Sequence, residues 1–325
     1  MSKTSIEWLP DSSLQRCRAS GATMGTRWSA QFHVPPTRHL AAVVDQLGAA
    51  VGAVDAEMSN WRTDSDISRL NHAEPGQWVS VSANLAAVLT RAIAIGRETH
   101  NAFNIGVGAL VCAWGFGPAG GEQDPPAETT SRPCLPIDAV LEVDARNCRA
   151  RRHVAVSLDL CGIAKGFGVD ELARVLDRHG IGSWLVGIDG EMRARGRKPD
   201  GAAWAIAIEA PSFECREAMS VIELGDGAIA TSGDYRHWRD VNGERISHTM
   251  DPRSGTPLLN GIASATVVAP TCTDADAYAT ALMVLGLTDG LALARQQGLN
   301  VLLVGREGGS IRSSGTGCFD KMPGE

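Results

Sequence analysis

The stretch DLCGIAKGFGVDELARVL, Asp159 to Leu176, joins a strand end to a helix through a turn that holds Gly162 and Gly166, with Lys165 between them. Glycine lets backbone come close to a neighbour or ligand with no Cβ in the way, and a helix beginning at about Phe167 points free N–H groups back at the turn. Such a turn suits phosphate. It is not a Walker A loop, because G-x-x-x-x-G-K-[ST] is absent and Lys165 is followed by Gly166. Taken alone, an ordinary solvated lysine at a strand-to-helix turn fits equally well.

On either side of this turn, helical and β-type patterns interleave without a regular βαβα alternation. Leu40, Val43, Val44, Leu47, Val51 and Val54 recur at helical spacing as far as Met58, and Leu85, Val88, Leu89 and Ile93 repeat the pattern between Asn84 and Glu98. Short β-type runs occur at RWSAQFHV, HVAVSLDL, SWLVGI, AAWAIAIE, ASATVVA and NVLLVG, several of them joined by glycine-rich turns. The mixture predicts an α+β fold. A Pro/Gly/polar loop from Pro118 to Pro136 separates two halves or ornaments one domain.

Composition narrows the function classes. The chain has 325 residues, 44% of them apolar, which places it among globular proteins with ample core. A net charge of −7 disfavours nucleic acid, since the only dense basic run is Arg149, Arg151 and Arg152 with His153, expected at a hairpin edge. Eight cysteines lie far apart with no C-x-x-C pair, which fits reduced thiols and a cytoplasmic location. The opening MSKTSIEWLPDSSLQRCRAS carries charges and Pro10 where a signal peptide needs an apolar run, and no segment is expected to span a membrane.

Several stretches carry side chains suited to chemistry. In TCTDADAYATALMVLG, a helix opening at Thr273 places Asp276 and Thr280 on one face, a hard-oxygen pair of the kind magnesium prefers. The alternative is a capping box in which Thr273 caps the helix and Asp276 returns the bond. AIATSGDYRHW and ISHTMDPRSGTPL are turn-rich, and within them Thr231, Ser232, His248 and Asp251 offer hydroxyl, imidazole and carboxylate groups. His248 is the side chain best able to take a proton near neutral pH, although a lone histidine is more often structural. Trp61, just after a helix, either stacks on a flat ligand or covers core. Trp114 and Phe116 read as core.

Together these stretches resemble one family, the FAD:protein FMN transferases (ApbE). GATMGT (21–26), MSNWRTDSDISRLN, AFNIGVGALVCAWGFGP, LDLCGIAKGFGVDELA, GIDGEMRARG, ATSGDY, HTMDPRSGTP and TDADAYATALMVLG (273–286) arrive in the family's order over nearly the whole chain. The resemblance implies a single T-fold-related α+β domain of two closely joined subdomains with mixed sheets, over residues 21–315, between an N-terminal extension (1–20) and a C-terminal tail (316–325). It implies a cleft for FAD and a Mg²⁺-dependent transfer of FMN to a threonine or serine hydroxyl of a target flavoprotein, with AMP leaving. Carried over by position, Met24, Trp61, Ala102, Phe103, Asn104, Asp159, Lys165 and Met250 contact FAD. The Gly162 carbonyl, Asp276 and Thr280 hold the metal. His248 is the candidate base, with Asp251 as the alternative base or as the group that orients it.

The chain departs from the family at several points. Asn104 stands where Asp is common, Asp189 replaces the first glycine of a Gly-Gly pair, Cys161 replaces a small residue in the phosphate turn, and Trp61 stands for a tyrosine. Many family members are exported, and the opening residues show no leader. Two further functions share this residue set: a Mg²⁺-dependent FAD pyrophosphatase, with water in place of the acceptor hydroxyl, and a protein that binds FAD without turning it over.

Overall fold

Alternation sets the first long strands. In Gln15–Thr23 every second residue from Gln15 is buried, the period-two signature of a sheet with one face on a core. It turns into Thr26–Val34 through Met24 and Gly25, both with positive φ (43° and 69°), the backbone that a two-residue hairpin needs. The computed structural model describes residues 3–8, 14–118, 132–241, 243–307 and 310–320. Residues 119–131 of the predicted Pro/Gly loop, and 321–325 of the predicted tail, lie outside the described residues.

Among the described residues the main sheet has nine strands, β1 to β9: Lys3–Trp8, Gln15–Thr23, Thr26–Val34, Trp184–Ile188, Glu191–Arg195, Gly227–Gly233, Ile262–Ala269, Asn300–Glu307 and Ser310–Thr316. They lie in chain order across the sheet, with every neighbouring pair antiparallel. Two insertions carry the helices. Between β3 and β4 come α1 (Ala41–Met58), α2 (Asp66–His72), α3 (Ala83–Glu98), α4 (Gly108–Ala113), α5 (Ile137–Val140) and α6 (Ala164–Arg178). Between β7 and β8 comes α7 (Cys272–Gln297).

Strand β6 shows how the layers are divided. Ala228 and Ala230 face the helices, while Ile229 faces the hairpin Trp204–Glu209/Ala218–Leu224 on the other side. On the helical side, Leu47 and Val51 of α1 and Leu172 and Leu176 of α6 pack on Trp28, Phe32 and Trp184. Leu85 and Leu89 of α3 meet Ala277 and Leu282 of α7 over Val267 and Leu303. By length and composition alone α7 could cross a membrane, but 61% of its most apolar stretch is buried inside the protein. It is the central helix of the core.

Both predicted long helices and most predicted strands form where the periodicity places them. HVAVSLDL is an exception. Its backbone polar groups go to side chains and to scattered loop backbone rather than to one partner strand: Asn71 accepts from Leu158 N (2.8 Å) and donates to Leu158 O (2.9 Å), Arg152 donates to Val156 O (2.5 Å), and Asp159 N donates to Ile105 O (2.7 Å). A strand needs those groups for a neighbour. The basic run is not a hairpin edge either, because Arg149–Arg152 is the middle strand between Val79–Ser80 and Leu141–Asp144.

Candidate active site

α6 begins at Ala164, earlier than the predicted Phe167, so Lys165 lies in the first helical turn rather than before it. Asp159 shapes the approach. Its Oδ1 accepts from Cys161 N (2.8 Å) and its Oδ2 from Asn60 Nδ2 (3.2 Å), an Asx-type turn. That turn presses the two glycines against α7. A Cβ on Gly162 would lie 2.9 Å from Thr280 Oγ1 and 3.4 Å from Phe103, and one on Gly166 would lie 2.8 Å from Asp276 Cβ. With no side chain in the way, Gly166 N donates to Asp276 Oδ2 at 2.9 Å.

The capping-box alternative for Asp276 is displaced. α7 starts at Cys272 and Thr271 caps it, accepting from Asp274 N at 3.2 Å. Thr273 instead binds the buried Asp170, which accepts from Thr273 N (2.9 Å), Thr273 Oγ1 (2.6 Å), Cys272 N (3.0 Å) and Arg193 (2.7 Å). Asp276 is thereby left for the site. Burial pushes its carboxyl up to about 7 and Glu191 adds to the rise, while Lys165 and the Gly166 N–H act the other way. One helical turn on, Thr280 Oγ1 lies 3.3 Å from Ser232 Oγ.

Lys165 is not a free cation in the cleft. Its Nζ donates to Glu191 Oε1 at 2.7 Å and lies 3.8 Å from Asp189 Oδ2. Burial alone would lower the lysine pKa, but Glu191, Asp276 and Asp189 outweigh it, so the pKa is raised and the group stays charged. Glu191 escaped the sequence reading. Its signal was an acidic residue opening a strand of otherwise ordinary pattern. Asp189 sits at φ 57° in the β4–β5 turn, left-handed backbone of the kind that favours glycine.

The other predicted residues frame this centre. Met24 lies on α6, its Cε 3.0 Å from where Gly168 would carry a Cβ. Trp61 is 67% exposed, which removes the core reading, and its neighbour Asn60 binds Asp159. Ala102 and Phe103 are buried. Three buried oxygens beside these groups have no hydrogen-bond partner among the described residues: Thr23 Oγ1, Asn60 Oδ1 and Glu191 Oε2. Buried polar atoms are rarely left so, and these three adjoin Met24, Trp61 and Lys165.

His248 approaches from another segment. Its Nδ1 lies 2.9 Å from His237 O, and a carbonyl can only accept, so Nδ1 carries the proton and Nε2 keeps its lone pair. Phe116 meets the imidazole edge-on at 6.3 Å. Neither Phe116 nor Trp114 is fully buried, contrary to the core reading. Burial, helped by His237 and Lys165, pushes the His248 pKa down to about 4. Asp251 does not orient it, because Arg253 holds that carboxylate through Nε (3.0 Å) and Nη2 (2.9 Å). Met250 is buried in the short strand Met250–Asp251, which pairs with Thr256–Pro257.

The family model for the ApbE family matches residues 24–303. The chain belongs to the ApbE family. It is 36% identical to an FAD:protein FMN transferase of Vibrio cholerae serotype O1, over 89% of this chain and 87% of that one. Among solved structures it is similar to the apo form of the Pseudomonas stutzeri flavinyl transferase ApbE (TM-score 0.85, 33% identity, 96% of this chain and 98% of that one). It is also similar to the flavin transferase ApbE from Vibrio cholerae (TM-score 0.84, 34% identity, 94% and 98%).

In this ApbE chain, Asn104 serves structure. Its Oδ1 accepts from Gly106 N (2.7 Å), and its Nδ2 donates to Asn101 Oδ1 (2.9 Å) and Leu135 O (3.0 Å). An ionised aspartate would set two acceptors face to face at Leu135. Asn104→Asp is therefore expected to lose about 1 to 3 kcal/mol of stability, with the loss shrinking as the pH falls and the new carboxyl protonates. Denaturant titrations at two pH values measure this, and equal stability would contradict it.

Magnesium fits the ApbE site on its donors. A carbonyl, a carboxylate and a hydroxyl are all hard oxygens, and the glycine at position 162 leaves the space beside Thr280 that a Cβ would fill. Among the described residues no group of three or more His, Cys, Asp or Glu could hold a metal. A cation here would therefore share its coordination with substrate phosphates and water, as Mg²⁺ commonly does.

Proposed function

We propose that this protein transfers the FMN half of FAD to a threonine or serine hydroxyl of a target flavoprotein and releases AMP. One observation carries the reading: α6 and α7 press Gly162, Asp276 and Thr280 together beside Lys165, whose charge reaches the neutral imidazole of His248. The names of the relatives supply the reaction class.

The acceptor oxygen attacks the phosphorus on the flavin side of the pyrophosphate, a new P–O bond forms, and the P–O bond to AMP breaks. The acceptor proton goes to His248 Nε2. The Gly162 carbonyl, Asp276 and Thr280 would hold Mg²⁺, which would supply positive charge for the pyrophosphate. Lys165 adds a second positive charge, kept in place by Glu191 until phosphate oxygens compete for it. Asp159 and Asn60 hold the turn in shape, and Trp61 offers an exposed ring to the isoalloxazine. The eight free cysteines support a reducing compartment, the cytoplasm.

Trp61→Ala is expected to weaken FAD binding by about 1 to 3 kcal/mol, the range for aromatic stacking on nucleobases. Flavin fluorescence titration reads it, and an unchanged Kd would place the indole off the flavin. The function itself is tested by incubating the protein with FAD, Mg²⁺ and a candidate acceptor. Covalent FMN on the acceptor supports the reading, whereas free FMN with AMP, or intact FAD, overturns it.

A further inference from the structure

α7 is broken at Gly286, where φ is 77° and ψ is −174°. Carbonyls in the last turn before such a break lose their helical donors and must find others. Two side chains supply them. Asn260 Nδ2 donates to Met283 O (2.7 Å) and Val284 O (3.2 Å), and Arg253 Nη2 donates to Val284 O (2.8 Å).

The two donors are not equivalent. Asn260 turns its other end to local backbone, where Oδ1 accepts from Ile262 N at 3.2 Å. Arg253 spends the rest of its fork on Asp251, three residues beyond His248. A single guanidinium thus fastens the segment that carries His248 and Met250 to the end of the helical segment that carries Asp276 and Thr280. Its charge also suits the negative end of that segment. The planar fork matters, because an ammonium cannot serve the carboxylate and the carbonyl in the same fixed geometry.

We propose that Arg253 is a positioning residue for the transfer, holding His248 in register with the Asp276/Thr280 face of α7. The proposal rests on the function argued above. Arg253 acts through Asp251 and Val284, so its loss shifts the base segment while the proposed FAD contacts outside it (Met24, Trp61, Ala102, Phe103, Asp159 and Lys165) keep their places, and only Met250 moves with His248. Proton transfer needs hydrogen-bond reach, and a displacement of about 1 Å can cost about 10²-fold in rate.

The test compares wild type, Arg253→Ala and Asn260→Ala for FAD affinity, transfer kcat, Tm and amide hydrogen exchange. Arg253→Ala is expected to lower kcat by about 10- to 10²-fold with FAD affinity nearly unchanged, and millimolar guanidinium is expected to recover part of the rate. Asn260 caps the same break without bonding the base segment, so Asn260→Ala is expected to lower Tm and keep kcat. An unchanged kcat in Arg253→Ala overturns the proposal, and so does a parallel loss of kcat and FAD affinity in both variants. If wild type transfers no FMN, the functional reading fails on its own account. Exchange still decides the clamp: Arg253→Ala should speed exchange in residues 248–257 and 281–285 together, and acceleration in one alone overturns it.

Discussion

Asp276→Ala is expected to abolish metal-dependent turnover. The carboxylate is the one anionic donor in the proposed set, and the Thr280 hydroxyl with a single carbonyl cannot hold a divalent cation against water. The same residue carries a cost for the fold. Its pKa is raised from the usual carboxylate range to about 7, so the folded protein binds more protons than the unfolded chain between the two values, and stability falls as the pH rises through that window. Asp276→Asn keeps an acceptor for the Gly166 N–H and removes the charge. It is therefore expected to raise the Tm of the metal-free protein above pH 7 while turnover is lost. Turnover near the wild-type level at limiting Mg²⁺ would remove Asp276 from the metal site.

His248→Ala is expected to keep FAD and Mg²⁺ binding nearly intact while transfer falls by on the order of 10² to 10⁴. Its pKa, lowered to about 4 in the ligand-free protein, keeps the imidazole neutral well below pH 6.5. With Mg²⁺ saturating, so that Asp276 is held ionised, the His248 limb of kcat/KM, which reports the free enzyme, is then expected near pH 4. In the complex, the negative charge of FAD raises the histidine pKa, so the acid limb of kcat lies higher. Steady-state rates between pH 4 and 8 measure both limbs. FAD affinity that falls in proportion to the rate would make His248 a binding residue, and an unchanged rate would place the base elsewhere.

Local pattern was legible where neighbours in sequence decide the structure. α1 and α3 follow from apolar spacing, and β3, β4, β7 and β8 from short β-type runs. HVAVSLDL was misread because Asn60, Asn71 and the Ile105 carbonyl, from elsewhere in the chain, together with the adjoining Arg152, take up its backbone groups. The phosphate-type turn was legible through its glycines, but the partner that makes glycine necessary is α7, more than a hundred residues away. Resemblance located Lys165 and Asp276. It did not show that Glu191 holds Lys165, or that Asp170 occupies Thr273 and so leaves Asp276 unused as a cap. The orientation of His248 by a backbone carbonyl was out of reach for a different reason, since any residue at position 237 offers the same carbonyl.

The central claim is that a protein hydroxyl, not water, receives the FMN. The most direct measurement is the intact mass of a candidate acceptor flavoprotein after incubation with this protein, FAD and Mg²⁺. The acceptor is expected to gain the mass of one FMN less one water, with one AMP released per modified acceptor and no gain when its acceptor threonine or serine is replaced by alanine. An acceptor of unchanged mass beside accumulating free FMN and AMP would contradict the account.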